Sequence, residues 1–431
     1  MINPIAHIST IRNNKAILLE WFPLFLIAAL QLFLFYDLHN IGKQWRMCFG
    51  LLLVSTMLYL VKCARSNKFP AMSRQSNSLL LVWIIYYAII IFASAIGNTF
   101  NSSDSAKDFE VEILISFFIP LFYILFVGNA NRLKLVIFVF SCAAILMMAD
   151  NLVAYIDEII ARGKISNNIA AHRSYYHPLV FGAPFILLSF FTSQSPISRA
   201  IWLVLILLCT IMVVLTGSRG AWLAYIAILI FFIIMMRSYK LFIITITSIA
   251  LSFFLLYIFY PESFVITKFL QGFNTSGRTT GTWLPAIDMF AERPLFGYGF
   301  GMDVFHNEFN SVVGNYPEWT FKKSRSPHSY FLFTLFCVGI VGFAALLYLI
   351  WRSFSLIVSI LRQHENMKSS FVFTSGVTLL ALILGYLVVH GLFEDRKPTH
   401  VSFAFALCIA WLNVAGQNNK ACNEPKPVIA Q

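Results

Sequence analysis

The chain has 431 residues, of which 59% are hydrophobic and only 12% charged, with a mean hydropathy of +0.76. That composition excludes an ordinary soluble domain and fits a protein that crosses a membrane many times. The formal net charge of +12 is no nucleic-acid signature, because neither a basic soluble face nor an aromatic–basic repeat accompanies it.

Residues 1–16 are polar and run directly into an apolar segment with no small-residue cleavage site after it, so an uncleaved first helix is expected. Apolar stretches near the ~20 residues a span requires lie at 17–36, 47–63, 78–96, 111–128, 134–154, 178–193, 200–216, 220–236, 241–260, 327–351, 371–390 and 399–415. The expected fold is therefore all-α and polytopic, with twelve membrane helices. The organisation is helices 1–9 over residues 1–260, a long outer loop over 261–326, helices 10–12 over 327–416 and a tail over 417–431.

Short-loop Lys and Arg set orientation. With both termini cytoplasmic, Lys62, Arg65, Lys68, Arg74, Arg132, Lys134, Arg237, Lys240, Arg352, Arg362 and Lys368 fall inside, and acidic residues gather on the other side. Of the seven Cys, Cys48, Cys142, Cys209, Cys337 and Cys408 lie in spans and Cys63 and Cys422 on the cytoplasmic side, so no disulfide framework is implied.

Chemistry is expected at the outer boundary. The loop 261–326 far exceeds the roughly 15 residues beyond which loops are usually functional or disordered, and its Trp283, Trp319 and several Phe and Tyr argue against disorder. Within it "GRTTGTWLPAIDMFAERP" (277–294) predicts a short helix capped by Thr280 or Thr282 and ended by Pro294, with "GYGFG" (297–301) as an exposed turn. Arg278 then precedes a helix N-terminus, where backbone NH groups and a guanidinium make a candidate anion site.

Between two uncharged stretches, "LTGSRGAWLA" (215–224) carries Arg219 flanked by Gly217 and Gly220. One reading is a tight turn with Arg219 facing head groups; the other is that the glycines admit an anion, which Arg219 binds bidentately. "SPHSY" (326–330) reads as a helix start, with Ser326 as N-cap and Pro327 first in the helix. His328 there is either a polar helix-start residue or a neutral imidazole able to take a proton from a hydroxyl.

Lys322, Lys323 and Arg325 in "KKSRS" suit head groups or a phosphorylated acceptor, and Arg173 in "HRSYYH" (172–177) is of the same kind. Asp108 and Glu112 read mainly as complements to a helix dipole. A divalent-metal site is the alternative, which the lack of any DxD weakens. "FEDRKPTH" (393–400) reads as a solvated loop with internal ion pairs.

"TGSRGAW" (216–222), "GRTTGTW" (277–283), "RPLFGYG" (293–299) and "SPHSYF" (326–331), in that order around one long outer loop, resemble the O-antigen ligase / O-antigen polymerase superfamily of bacterial inner-membrane glycosyltransferases. The resemblance covers residues 200–350 by motif and the first half by hydropathy alone. It implies about twelve helices, a periplasmic site under the loop, and glycan transfer from undecaprenyl diphosphate with no cofactor or metal. It also implies that Arg219 and Arg278 hold the diphosphate and that His328 acts on the acceptor hydroxyl. Two arginines can stabilise the leaving diphosphate, and a single displacement would invert the anomeric centre.

The second outer segment is short, and none of Arg162, Arg173, Arg278 or Arg293 has Gly eleven positions later. That favours a ligase, joining O-antigen to the lipid A core, over a polymerase extending glycan on the carrier. A protein O-glycosylating relative is a further possibility within the family. A polysaccharide or ion transporter is the alternative of another class, but transporters place polar residues near mid-membrane in two related halves. Here the charges gather at one face.

Overall fold

Serine hydroxyls start several of the membrane helices. Ser73, Ser195, Ser218 and Ser370 each accept a hydrogen bond from a backbone NH three residues on, at the starts of the helices beginning at Arg74, Pro196, Arg219 and Phe371. Pro196, at the first helical position, needs no NH partner there. The computed structural model describes residues 21–34, 44–67, 69–101, 103–162, 176–270, 276–363 and 370–423.

Among these, ten helices are long and apolar enough to cross a membrane, and two shorter apolar helices stand where the sequence places the first and sixth spans. In chain order they are α1 (Trp21–Leu34), α2 (Gln44–Ser66), α3 (Arg74–Ile96), α4 (Ser103–Phe126), α5 (Ala130–Arg162) and α6 (Tyr176–Thr192). They continue with α7 (Pro196–Leu215), α8 (Arg219–Met236), α9 (Tyr239–Phe259), α10 (Tyr330–Gln363), α11 (Phe371–Phe393) and α12 (Pro398–Asn423). The protein is an all-α polytopic membrane protein.

The most apolar stretch of α12 is 94% buried, against 17% for α2 and α9. Helix α12 is therefore the centre of the bundle, packed on α4 and α3, while α2 and α9 present their Leu, Ile and Phe outward, as lipid-facing helices must. Helix α10 packs on α3, α8 on α11, and α6 on α5, α7 and α11.

The described parts of the long loop, residues 261–270 and 276–326, are structured. Helices Phe264–Leu270 and Met302–Val312 flank a continuous helical run from Ser276 to Glu292, and Trp319 is buried with its indole NH donating to Asp288 at 2.8 Å. Segment 294–299 locks this unit to α10. Helix α10 breaks at Gly339 (φ +62°), and the broken ladder is met by Tyr298 N→Phe336 O (2.9 Å), Gly299 N→Cys337 O (2.9 Å) and Ile340 N→Pro294 O (2.8 Å). A Cβ at Gly339 would run into Leu295 O, and the left-handed backbone suits glycine.

Three expectations are corrected. Residues 297–301 are buried against α3 and α10 rather than exposed, because their NH groups complete the α10 break. Arg278 sits inside the first turn of the 276–292 run rather than ahead of it. The π-helical turn Thr279–Trp283 fits Pro285 into that run, and Thr282 donates to Arg278 O instead of capping. Helix α10 begins at Tyr330, and Ser329 caps it by accepting from Leu332 N at 3.4 Å, so Ser326 and Pro327 precede the helix.

Candidate functional site

The turn between α7 and α8 is built so that Ser218 caps α8 and Arg219 is its first residue. The glycines that flank them do admit a close approach, but by protein. A Cβ at Gly217 (φ +62°) would meet the Phe264 ring at 2.7 Å, and one at Gly220 would meet Glu394 Cγ at 2.9 Å. The turn is thereby wedged between the loop and the α11–α12 connection.

Glu394 is the hub. It is 5% exposed, and its Oε1 accepts from Ser218 Oγ (2.8 Å) and Arg278 Nη2 (3.2 Å) while Oε2 accepts from Tyr176 OH (3.2 Å). Arg278 Nη1 also donates to Phe393 O at 2.9 Å. A carboxylate taken so far out of water requires such partners. The same residue draws α6, α8, the long loop and the α11–α12 connection to one point.

Around that point is a cavity of ≈290 Å³, lined by Arg219, Lys268, Arg278, Arg325, His328 and Glu394 among others. Four cationic residues thus line the cavity against one carboxylate, and the positive N-terminus of α8 adds to the field. Arg219 Nη2 is held by Lys268 O at 2.8 Å, and the Arg325 guanidinium stacks 4.0 Å from the Phe321 ring centroid. The aromatic walls include Trp283 and Phe393, 6.4 Å apart. Such a cavity can hold an anion with an apolar or sugar-bearing extension.

His328 has φ +48°, a left-handed conformation that costs a non-glycine residue about 1–2 kcal/mol. Strain of this kind concentrates at functional positions. Its Nδ1 lies 3.4 Å from Asp395 Oδ2, and Ser326 Oγ, 3.4 Å from Nδ1, donates to that same Oδ2 at 2.5 Å. With Nδ1 turned to this pair, the arrangement can leave Nε2 to a bound hydroxyl, as in a His–Asp dyad.

Behind the dyad, Arg396 is buried with its guanidinium 3.9 Å from the Tyr386 ring centroid. Burial pulls its pKa down to about 10, so it remains a cation at neutral pH. Residues 393–400 are therefore an inward-facing wall and not a solvated loop, since Glu394, Arg396 and His400 are all buried and Glu394 pairs with Arg278 across the chain.

Arg219, Arg278, Arg325 and His328 come together although they are distant in sequence. Lys322 and Lys323 do not line the cavity. Both are exposed, and Lys322 Nζ donates to Tyr316 O and Pro317 O at 3.1 and 3.2 Å. Arg173 lies outside the described residues. Asp108 and Glu112 are on α4, away from the cavity lining. Sequence reasoning missed Lys268, Glu394 and Asp395. The sequence signal for the last two is an acidic pair directly after an apolar span.

Comparison with known proteins bears on this arrangement. A family model described as O-antigen ligase matches residues 203–347, which contain Arg219, Lys268, Arg278, Arg325 and His328. The O-antigen ligase of Salmonella typhimurium strain LT2 is 29% identical over 414 residues, covering 91% of this chain and 97% of that protein. Over residues 203–347, and by similarity along nearly the whole chain, the protein is thus similar to O-antigen ligases, and the two matches together indicate a glycosyltransferase-type enzyme.

Proposed function

We propose that the cavity holds the diphosphate of an undecaprenyl-diphosphate-linked O-antigen while a sugar hydroxyl of a lipid A core attacks the anomeric carbon. The observation that carries this reading is the convergence of Arg219, Lys268, Arg278 and Arg325 with His328 on one cavity of ≈290 Å³. Glycosyl transfer from a diphosphate needs its leaving group neutralised, and guanidinium forks match phosphate oxygens. Arg219 and Arg278 are the diphosphate clamp, with Lys268 and Arg325 beside them; Arg278 exchanges its contact with Glu394 for a phosphate oxygen.

His328 Nε2 takes the proton of the acceptor hydroxyl as its oxygen bonds to the anomeric carbon and the carrier diphosphate leaves. The Asp395–Ser326 pair holds the ring and stabilises the imidazolium. One displacement inverts the anomeric configuration. The cations are sufficient to neutralise the leaving group, so this reading requires no metal.

The cavity faces the periplasm of a bacterial inner membrane. Lys62, Arg132, Arg237 and Arg362 lie at the other end of the helices, the side that short-loop cations mark as cytoplasmic.

Reconstitution tests the reaction. Purified protein, lipid-linked O-antigen and rough lipopolysaccharide, incubated with excess EDTA, should give a ladder shifted onto lipid A core. Growth of glycan on the carrier alone would make the protein a polymerase, and dependence on restored Mg would remove the arginines from the leaving-group role.

A further inference from the structure

At the end of the bundle away from the cavity, the sides of α8, α10 and α11 enclose a lateral groove of ≈470 Å³. Its lining residues include Phe231, Ile234, Phe354 and Val358 together with Arg237 and Arg362, both of which are exposed. Helix α8 carries Arg219 at its first residue and Arg237 just past its last. At 1.5 Å per residue the two are separated by about 27 Å, close to the thickness of a bilayer's hydrocarbon core. Arg237 therefore stands at the opposite membrane–water boundary from the cavity, and so does Arg362 in the last turn of α10.

Neither guanidinium has a hydrogen-bond or ion-pair partner among the described residues. Arg237 also ends α8 in the left-handed conformation (φ +53°), a position where glycine or asparagine is usual. A largely apolar groove lined also by two exposed cations that have no partner among the described residues has the two-part chemistry of an anionic phospholipid. The apolar walls take an acyl chain, and the arginines take the phosphate.

We propose that the α8–α10–α11 groove is a specific binding site for an anionic glycerophospholipid of the leaflet opposite the active cavity, with Arg237 and Arg362 holding its phosphate. This goes beyond the transfer reaction and stands or falls separately from it, since none of its residues lines the cavity.

The test is native mass spectrometry of the full-length protein, delipidated in neutral detergent and titrated with dioleoyl phosphatidylglycerol or dioleoyl phosphatidylcholine. Phosphatidylglycerol should bind well ahead of phosphatidylcholine. The Arg237→Gln/Arg362→Gln double variant should lose about 25-fold in affinity, as each cation near the membrane surface contributes roughly a factor of five. Because these arginines also bear on insertion, a second variant keeps both. Val358→Trp fills the trough and should weaken phosphatidylglycerol binding with topology intact. Equal binding of the two lipids, unchanged affinity in either variant, or displacement of the lipid by equimolar inorganic phosphate would overturn the proposal.

Discussion

Arg278 Nη2 lies 3.2 Å from Glu394 Oε1, joining the long loop to the connection between α11 and α12. The acid is nearly buried and the arginine about 30% exposed, so the pair behaves as an anchored carboxylate that holds a reachable guanidinium in place. Glu394→Ala would leave Arg278, Ser218 and Tyr176 without their acceptor. A loss of about 1–3 kcal/mol is expected, seen as a lower melting temperature, with transfer activity falling alongside. Glu394→Gln, which can still accept from Ser218, should recover most of the stability and less of the activity.

Arg219→Lys keeps the charge but loses the fork that allows one bond to Lys268 O and another to phosphate. Transfer should drop by about 10²-fold or more, the scale of removing one donor to a developing anion. Near-normal turnover in a reconstituted assay would exclude Arg219 from the clamp.

His328→Ala and Asp395→Asn separate the base from its support. The first should abolish transfer while leaving binding of the carrier-linked donor intact. The second should lower kcat by about 10²–10⁴-fold with little change in KM, because it alters how the ring is held rather than what contacts the donor. An Asp395→Asn enzyme with wild-type kcat would reduce the 3.4 Å contact to a structural one.

Gly339→Ala forces a Cβ into Leu295 O at a left-handed backbone position. The expected result is undocking of segment 294–299 from α10, detected as faster proteolysis within residues 261–326. The strain amounts to at least about 1–2 kcal/mol.

Membrane helices were legible in the sequence because a span needs a long uninterrupted apolar run, and such a run is visible without knowing its neighbours. Arg219, Arg278 and His328 stood out for a related reason, as polar residues beside glycine or proline at the ends of such runs. What the sequence concealed depends on partners distant along the chain. Glu394 reads as one member of a charged loop until α6, α8 and the long loop are brought to it, and Lys268 becomes relevant only because Arg219 docks on its carbonyl. Ser326 and Ser329 both offer a capping hydroxyl, so the sequence alone does not fix where α10 starts; Ser329 caps it and Ser326 serves Asp395. Glycine-rich turns such as "GYGFG" are usually exposed, whereas here the glycines let backbone meet backbone at the α10 break.

In the proposed reaction the donor's diphosphate occupies the cavity between the α8 start, the 276–292 helix and Phe393–Glu394. The most direct measurement is photo-cross-linking with a polyprenyl diphosphate that carries a photoreactive group next to the diphosphate, followed by peptide mapping. Cross-links are expected within residues 217–223, 277–283 and 393–394, segments that contribute to the cavity lining, and should be competed away by unlabelled donor. Competable labelling confined to other segments, with these three unlabelled, would contradict it.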